Sequence, residues 1–428
     1  MTCIVIGQAS GGTAAANTLG FYNSGDTLRT DHGEGHGVIA VDNILSKSGG
    51  PVGFIRATTS VAGTTSAVVN TGGGPTVTLA GTPAHDATLK ITIVKAGALG
   101  VAQFTYTLDG VTTTETLVVP SGGTYVLTKS GVTVTFAAGT YVLGATYTST
   151  FAAPCLNVSD LNTAFAAAAA TQTPWRFVYV VTSDGVTSAA SALLSAALQS
   201  QLDTIASSSS RYRRGIVSAC GTSASETLTT YSAAAAAPRV MIPYGKVRRS
   251  NSKSYPGYAV PITQNSDCFA ARAAASLIST DLKRVKSGAL TEIVTNYHDE
   301  YTTPSGLDDI KISTLRTYGN ADVYITQGRL RSTAGSDYRL WPHGIVIDVM
   351  AEAVHRVLQR QIGRGLRTYT NTVADVPYQG VLDPRDAGPI EKEVNDELAN
   401  IVGTPVNAEG NAGHVSAYRY TISQNLLQ

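Results

Sequence analysis

Arginine is almost missing from the first third of this 428-residue chain: of 21 Arg, only Arg29 and Arg56 precede residue 154. Charge of either sign is scarce. Asp, Glu, Lys and Arg make up 14% of the sequence, against about 25% in ordinary globular domains. Ala, Gly, Ser and Thr fill the gap. A charge-poor surface suits burial against other protein better than isolation in water. The net charge of +1 creates no global field for nucleic acid or for a membrane. Cysteine is sparse as well. Cys3, Cys155, Cys220 and Cys268 stand far apart, with no CxxC and no Cys/His metal spacing. Reduced, buried thiols of a protein made in a cytoplasm are expected. The first residues carry no basic stretch followed by a long apolar run, so no signal peptide is expected. The Ala-rich run 163–170 is too short to span a bilayer.

Catalytic motifs are missing too. The stretch IVIGQASGG places Gly7, Gly11 and Gly12 after an apolar run, but no Lys occurs before Lys47, which excludes a P-loop. The glycine spacing does not fit the dinucleotide fingerprint either. A structural turn is the expectation. In DHGEGHG (31–37), His32 and His36 are four apart, which suits a shared metal only on a helix. Three Gly disfavour a helix there, so a polar loop is expected. SACGTSAS (218–225) lacks the nucleophile elbow. In NYHDE, His298, Asp299 and Glu300 are consecutive and should face different ways. No paired general acid and base emerges, and neither catalytic residues nor a cofactor or metal site is expected.

What is present is a change of periodicity along the chain, which is long enough for two or three domains with real cores. Residues 1–60 read as strand, helix, strand: TCIVIG, then 37–50 closed by Gly49 and Gly50, then 51–57. Residues 61–153 hold six charged side chains and no Arg. About seven alternating strands, each ended by a Gly, Asp-Gly or Pro turn, predict an inserted all-β sandwich. From 154 the α/β pattern resumes. Helices are expected at 159–170 with a Ser or Asp cap, 187–207, 223–237 and 265–288, and strands at 175–183, 214–220 and 238–245. The segment 312–332 should turn at Gly319-Asn320 and end as a strand. A long helix is expected at 344–366, and a shorter one from Pro389 with Ile390, Val394, Leu398 and Ile401 on one stripe. Residues 414–428 alternate as a strand, and a strand needs partners for its N–H and C=O groups. The Arg runs RYRR (211–214) and KVRR (246–249) are expected at the surface or in ion pairs between subunits.

The order of these elements resembles the tail sheath proteins of contractile phage tails and related injection systems. The resemblance rests on TCIVIGQASGG, on VDNILSKSGGPVGFIRA with Gly49, Gly50 and Arg56, on VYITQGRLRS with Gly328, Arg329 and Arg331, and on the long helix after SDYRLWPHG. It extends over about 330 residues outside the 61–153 segment. It implies an α/β (α+β) sheath core in pieces 1–60, 154–310 and 311–409, an inserted surface-facing β-sandwich at 61–153, and a C-terminal arm at 410–428. In this arm a strand carrying Tyr418, Arg419, Tyr420, Thr421 and Ile422 would be exchanged between subunits, hinged at Gly410 and Gly413. Arg56, Arg329 and Arg331 would be core or interface residues. Such a protein is not an enzyme. It would stack in sixfold rings of itself around an inner tail tube protein, with baseplate and tail terminator proteins at the ends. It would bind no nucleic acid, insert into no membrane, and reside in the virion tail after assembly in the host cytoplasm. Two other readings stand beside it: a self-assembling surface-layer or adhesin protein, and an α/β enzyme with a ligand at the 154–250 sheet. The family has an arm before its first strand, whereas this sequence starts almost on that strand, so either the first strand itself or another contact is expected to take the arm's place.

Overall fold

Five consecutive buried residues, Cys3–Gly7, form the strand on which the fold is centred. The computed structural model describes residues 3–183, 185–250, 257–258, 262–278, 280–286, 288–319, 322–333, 335–336, 339–361 and 384–402. In chain order the first elements are β1 (Cys3–Gly7), β2 (Leu19–Tyr22), α1 (Gly25–His32), α2 (His36–Ser48) and β3 (Val52–Arg56). Nine strands follow: β4 (Thr64–Thr65), β5 (Val69–Thr71), β6 (Val77–Gly81), β7 (Ala87–Lys95), β8 (Gln103–Thr107), β9 (Leu117–Val118), β10 (Thr124–Val126), β11 (Val132–Phe136) and β12 (Thr146–Ala152). The α/β pattern returns with α3 (Val158–Ala170), β13 (Phe177–Val180), α4 (Ser188–Ser209), β14 (Arg214–Val217), α5 (Ala224–Ala233) and β15 (Ala237–Met241). Then come β16 (Lys246–Arg249), β17 (Ile262–Gln264), α6 (Ser266–Ala275), β18 (Ile293–Asn296), β19 (Leu315–Thr317), β20 (Val323–Ile325), β21 (Leu330–Arg331), α7 (Trp341–Arg360) and α8 (Pro384–Val402).

The main sheet has the order β2-β3-β1-β13-β14-β15-β21. Its five inner strands are parallel, and β2 and β21 close the two edges antiparallel. Strand alternation sends Cys3, Val5, Phe177, Tyr179 and Ile216 into one core with α2, α6 and the start of α7. Ile4, Ile6, Val178, Val180 and Val217 go to the other face, under α3, α4 and α5. Both faces of the parallel strands are therefore dry, which is why they read as continuous apolar runs.

Residues 64–152 build two antiparallel sheets, β10-β11-β6 and β4-β12-β7-β8-β9, with β5 also on β12. Their inner side chains, among them Leu89, Ile91, Phe104, Val134, Phe136 and Tyr147, form one core that excludes the main sheet's residues. All seven expected strands are present, with the two short strands β4 and β5 in addition. The Asp109-Gly110 turn works as its sequence predicts. Asp109 Oδ1 accepts the N–H groups of Val111 and Thr112, each at 2.7 Å, and Gly110 takes φ 72°.

Several boundaries differ from the sequence expectation. The α3 cap is Asn157 rather than Ser or Asp, in a reciprocal capping box with Asp160. The expected helix 265–288 stops at Ala275, because Ser276 turns extended and Leu277 and Val285 find no surface to bury them. Pro389 does not start α8. The helix begins at Pro384, with Asp386 in its first turn, where a carboxylate favours the dipole. In 312–332 the strand is broken into the hairpin β19-β20 and the separate edge strand β21. Neither β2 nor α1 was expected. DHGEGHG is not a loop: His32 ends α1 and His36 begins α2. The Gly between them supply the sharp turn and not a helix interior. Substitution of Asn157 by Ala should lower unfolding free energy by about 1 kcal/mol, read as a shift of the urea midpoint.

Candidate functional site

The N-terminal ends of β13, β14 and β15 lie side by side, and each carries arginine at or near its start: Arg176, Arg213 with Arg214, and Arg239. Across them runs α7, presenting Asp348 and Glu352 one helical turn apart. Arg214 grips Asp348 with two bonds, Nε to Oδ2 at 2.5 Å and Nη2 to Oδ1 at 2.9 Å. Its remaining donors reach the carbonyls of Gly344 at 3.0 Å and Pro238 at 2.8 Å. Arg239 bridges Asp348 at 3.3 Å and Asp203 of α4 at 3.0 Å. Glu352 takes Arg176 at 2.6 Å and also Arg213. Arg211 and Arg213 lie 5.8 and 5.5 Å from the Trp175 ring centroid, a cation–π arrangement. The helix approaches the sheet closely enough that a Cβ on Gly344 would stand 2.8 Å from Arg214 Cζ. Only a glycine admits the guanidinium there.

Arg213 and Arg214 are interior parts. Arg214 is 1% exposed and Arg249 likewise, so these two members of RYRR and KVRR lie inside their own chain, where the surface or ion pairs between subunits were expected. Arg249 pairs with Asp267 at 3.1 Å. Asp267 also accepts the Tyr179 hydroxyl at 2.6 Å, and burial, reinforced by this carboxylate, holds the phenol well above its ordinary pKa. The partners Asp348, Glu352 and Asp267 were missed in the sequence. The legible signal was Asp348 on the same helix face as Ile345 and Trp341, since a carboxylate buried among apolar residues requires a cation.

The arginines expected in the core or at an interface bond within their own chain and are not brought together. Arg56 ends β3, near one edge of the main sheet, and its Nη2 donates to Ala14 O at 2.6 Å. Arg331 sits on the opposite edge strand. It donates to the carbonyls of Tyr231 at 2.5 Å and Ala235 at 3.1 Å and lies 5.5 Å from the Tyr231 ring centroid. Arg329 donates to Asp308 O at 2.8 Å and to Gln327. Tyr418, Arg419, Tyr420, Thr421, Ile422, Gly410 and Gly413 lie outside the described residues. The acidic run 391–397 pairs in part within the chain: Glu397 with Arg356 at 3.0 Å and Glu393 with Arg360 at 3.3 Å.

The candidate chemical motifs are likewise absorbed into packing. A Cβ on Gly12 would lie 2.3 Å from Asp31 O. The glycine-rich turn thus packs closely against α1. Asp299 accepts N–H groups from Tyr301 at 2.9 Å and Thr317 at 3.1 Å. Burial alone would raise its pKa, but these bonds outweigh burial and hold it below the usual carboxylate range. A cavity of about 230 Å³ does open at the C-terminal ends of β14 and β15, beside Cys220, Thr222, Tyr244 and His298. Its polar groups bond to neighbours: His298 with Glu300 at 3.0 Å, and Cys220 with Thr182 at 3.2 Å. Among the described residues no group of three metal-ligating side chains exists, and no helix is long and apolar enough to cross a membrane. All four cysteines are free and buried, and burial pushes the Cys3 thiol up to about 12.

A parallel sheet clamped by a long C-terminal helix, with a β segment between its first and later strands, defines a mixed α/β architecture organised around packing. Among solved structures, this arrangement is similar to the sheath tail protein of Listeria innocua, at 11% identity and a TM-score of 0.50, covering 95% of this chain and 85% of that one. The sheath tail protein of Desulfitobacterium hafniense aligns at 13% identity over 95% and 86% of the two chains, with a TM-score of 0.47. The anti-feeding prophage helical sheath in its contracted state aligns at 9% identity over 95% and 78%, also at 0.47. No family model matches the chain, and no curated protein matches it. The fold is that of a sheath tail protein.

Replacing Asp348 by Ala should destabilise the chain by about 3–5 kcal/mol, because Arg214 is left buried and uncompensated. The paired change Arg214→Met with Asp348→Leu should recover more than half of that loss, as measured by urea unfolding.

Proposed function

We propose that the chain is a structural tail sheath subunit, which polymerises around an inner tube and contracts to drive that tube through a host envelope. The observation that carries this reading is the fold likeness to the Listeria sheath tail protein, extending over 95% of this chain. Two features support it. The interior charges Arg214, Asp348, Arg249 and Asp267 hold helices to sheets. The low charge content suits a surface that is largely covered by copies of itself. The two rival readings have no comparable support. The cavity at the main sheet has its polar groups bonded to neighbours, and nothing specific favours a surface-layer protein.

In this reading residues 1–60 and 154–409 form the sheath core, and 61–153 form an outward-facing module with its own hydrophobic core. Residues 410–428 form an arm. Its strand, Tyr418 to Ile422, adds to a sheet of a neighbouring copy through backbone hydrogen bonds and swings at Gly410 and Gly413. A head-to-tail contact that does not close generates a helical polymer. The extended polymer is held by a kinetic barrier around its tube, and contraction releases the free energy stored on assembly. The partners are further copies, in rings expected to be sixfold, then the tube, baseplate and terminator proteins. The location is a virion tail assembled in bacterial cytoplasm. Deletion of 414–428 should leave the Tm of the monomer unchanged within a few degrees and abolish pelletable polymer in sedimentation. A truncated chain that polymerises like the full one removes the strand from the mechanism.

A further inference from the structure

The β segment meets the α/β core through a polar joint, and two buried histidines stand at its centre. His36, the first residue of α2, is 4% exposed, and His85, just ahead of β7, is 5% exposed. Asp86 is 6% exposed. It fastens both crossings of the chain: its backbone N–H donates to His36 Nε2 at 2.9 Å, and its Oδ1 accepts the N–H of Ala153, just past β12, at 2.7 Å. Nε2 of His36 also lies 3.1 Å from Asp86 Oδ2. One nitrogen thus faces a donor and an acceptor. A neutral imidazole with a lone pair on Nε2 keeps the N–H bond. A proton on Nε2 replaces it by a bond to the carboxylate.

His85 has no hydrogen-bond partner on either ring nitrogen. Its ring stacks on Tyr258 with centroids 5.4 Å apart and meets His36 edge-on at 5.9 Å. Leu108 and Phe151 pack beside it, with Lys129 at the rim. The charged groups around the joint are Asp86, Arg29, Glu34 and Lys129. Glu34 holds Arg29 at 3.3 Å and Lys129 at 3.7 Å. Arg29 also pairs with Asp42. The other ties are hydrogen bonds: Gln8 Nε2 to Ala84 O at 2.7 Å, Tyr258 OH to Asp86 O at 3.2 Å, and Leu108 N–H to Gly257 O at 2.6 Å.

From this geometry we infer that the joint is a proton-operated latch: it closes only on a neutral His85 ring, and acidification favours its release. An imidazole in a dry site with no acceptor for either N–H has no means of stabilising a charge. Burial, reinforced by His36, lowers the His85 pKa from 6.5 to about 3 in the closed joint. Opening wets the ring and restores its ordinary value. The open form therefore binds the proton that the closed form refuses. Closure is fully favoured above about pH 6.5 and is weakened as pH falls from 6.5 towards 3. The latch works whether or not the chain polymerises.

The test is hydrogen exchange on the full chain at pH 8 and pH 5, corrected for intrinsic rates. The amides of Asp86, Ala153 and Leu108 report the joint, and those of β13 and β14 serve as the internal reference. The opening constant should rise about 30-fold from pH 8 to pH 5 from His85 alone, with the reference amides unchanged. His85→Phe, which fills the same space without a titrating group, should lower that ratio at least threefold. Equal protection of the joint amides at both pH values, or a His85→Phe chain with the wild-type ratio, overturns the latch. A variant too unstable to measure leaves the wild-type proton NMR titration of the His85 ring to decide. No midpoint above pH 4 supports the latch, and a midpoint near 6.5 contradicts it.

Discussion

The pair Arg214–Asp348 is the contact on which the arrangement of the C-terminal part rests. It joins residues 134 positions apart and fixes α7 across the beginnings of three parallel strands. Burying two charges costs several kcal/mol each, and Coulomb attraction offsets this only when the remaining donors are also satisfied. Arg214 meets that condition through Gly344 and Pro238, and Asp348 through Arg239. The pair is therefore a poor source of net stability compared with an apolar contact, and a strong determinant of position. A helix slid or rotated on this sheet would strand both charges. Hydrophobic packing by Trp341 and Ile345 supplies attraction, and the ion pair supplies register.

The same economy accounts for the composition. The chain has little charge and places much of what it has inside: Arg213, Arg214, Arg249 and Arg331 are each no more than 7% exposed. Each holds an element that arrives from elsewhere in the sequence. Arg249 and Asp267 secure α6 with Tyr179, Arg331 caps the carbonyls at the end of α5, and Lys47 reaches Glu292 at 3.0 Å. The β segment has no arginine and holds itself together by aromatic and aliphatic packing around Phe104 and Tyr147. Its attachment to the core differs from both: it is polar, centred on His36, His85 and Asp86.

Much of the core was readable from periodicity. The runs at β1, β13 and β14 are short and apolar because both faces of the parallel sheet are covered, and the seven expected strands of the β segment carried their alternation and their turn residues, unlike the short β4 and β5. The shorter features escaped for physical reasons. The Leu19–Tyr22 edge strand is partly exposed and too brief for a pattern. Helices α1 and α2 abut across Gly33 and Gly35, so a glycine count that disfavours one helix concealed the ends of two. Pro389 looked like a start signal because proline is common at N1, but an earlier proline begins the helix. The side chains at the centre of the clamp were unreadable as a set: arginines at strand starts and acids on a distant helix carry no spacing that announces their pairing. The resemblance in element order pointed to the fold, and the fold itself depends on these non-local pairings.

The central claim is that the working unit is a lattice of copies rather than a single molecule. Negative-stain electron microscopy of the purified full chain tests it most directly. The account predicts tubes or stacked rings of regular diameter, whereas a uniform field of single globular particles at every concentration tried would contradict it.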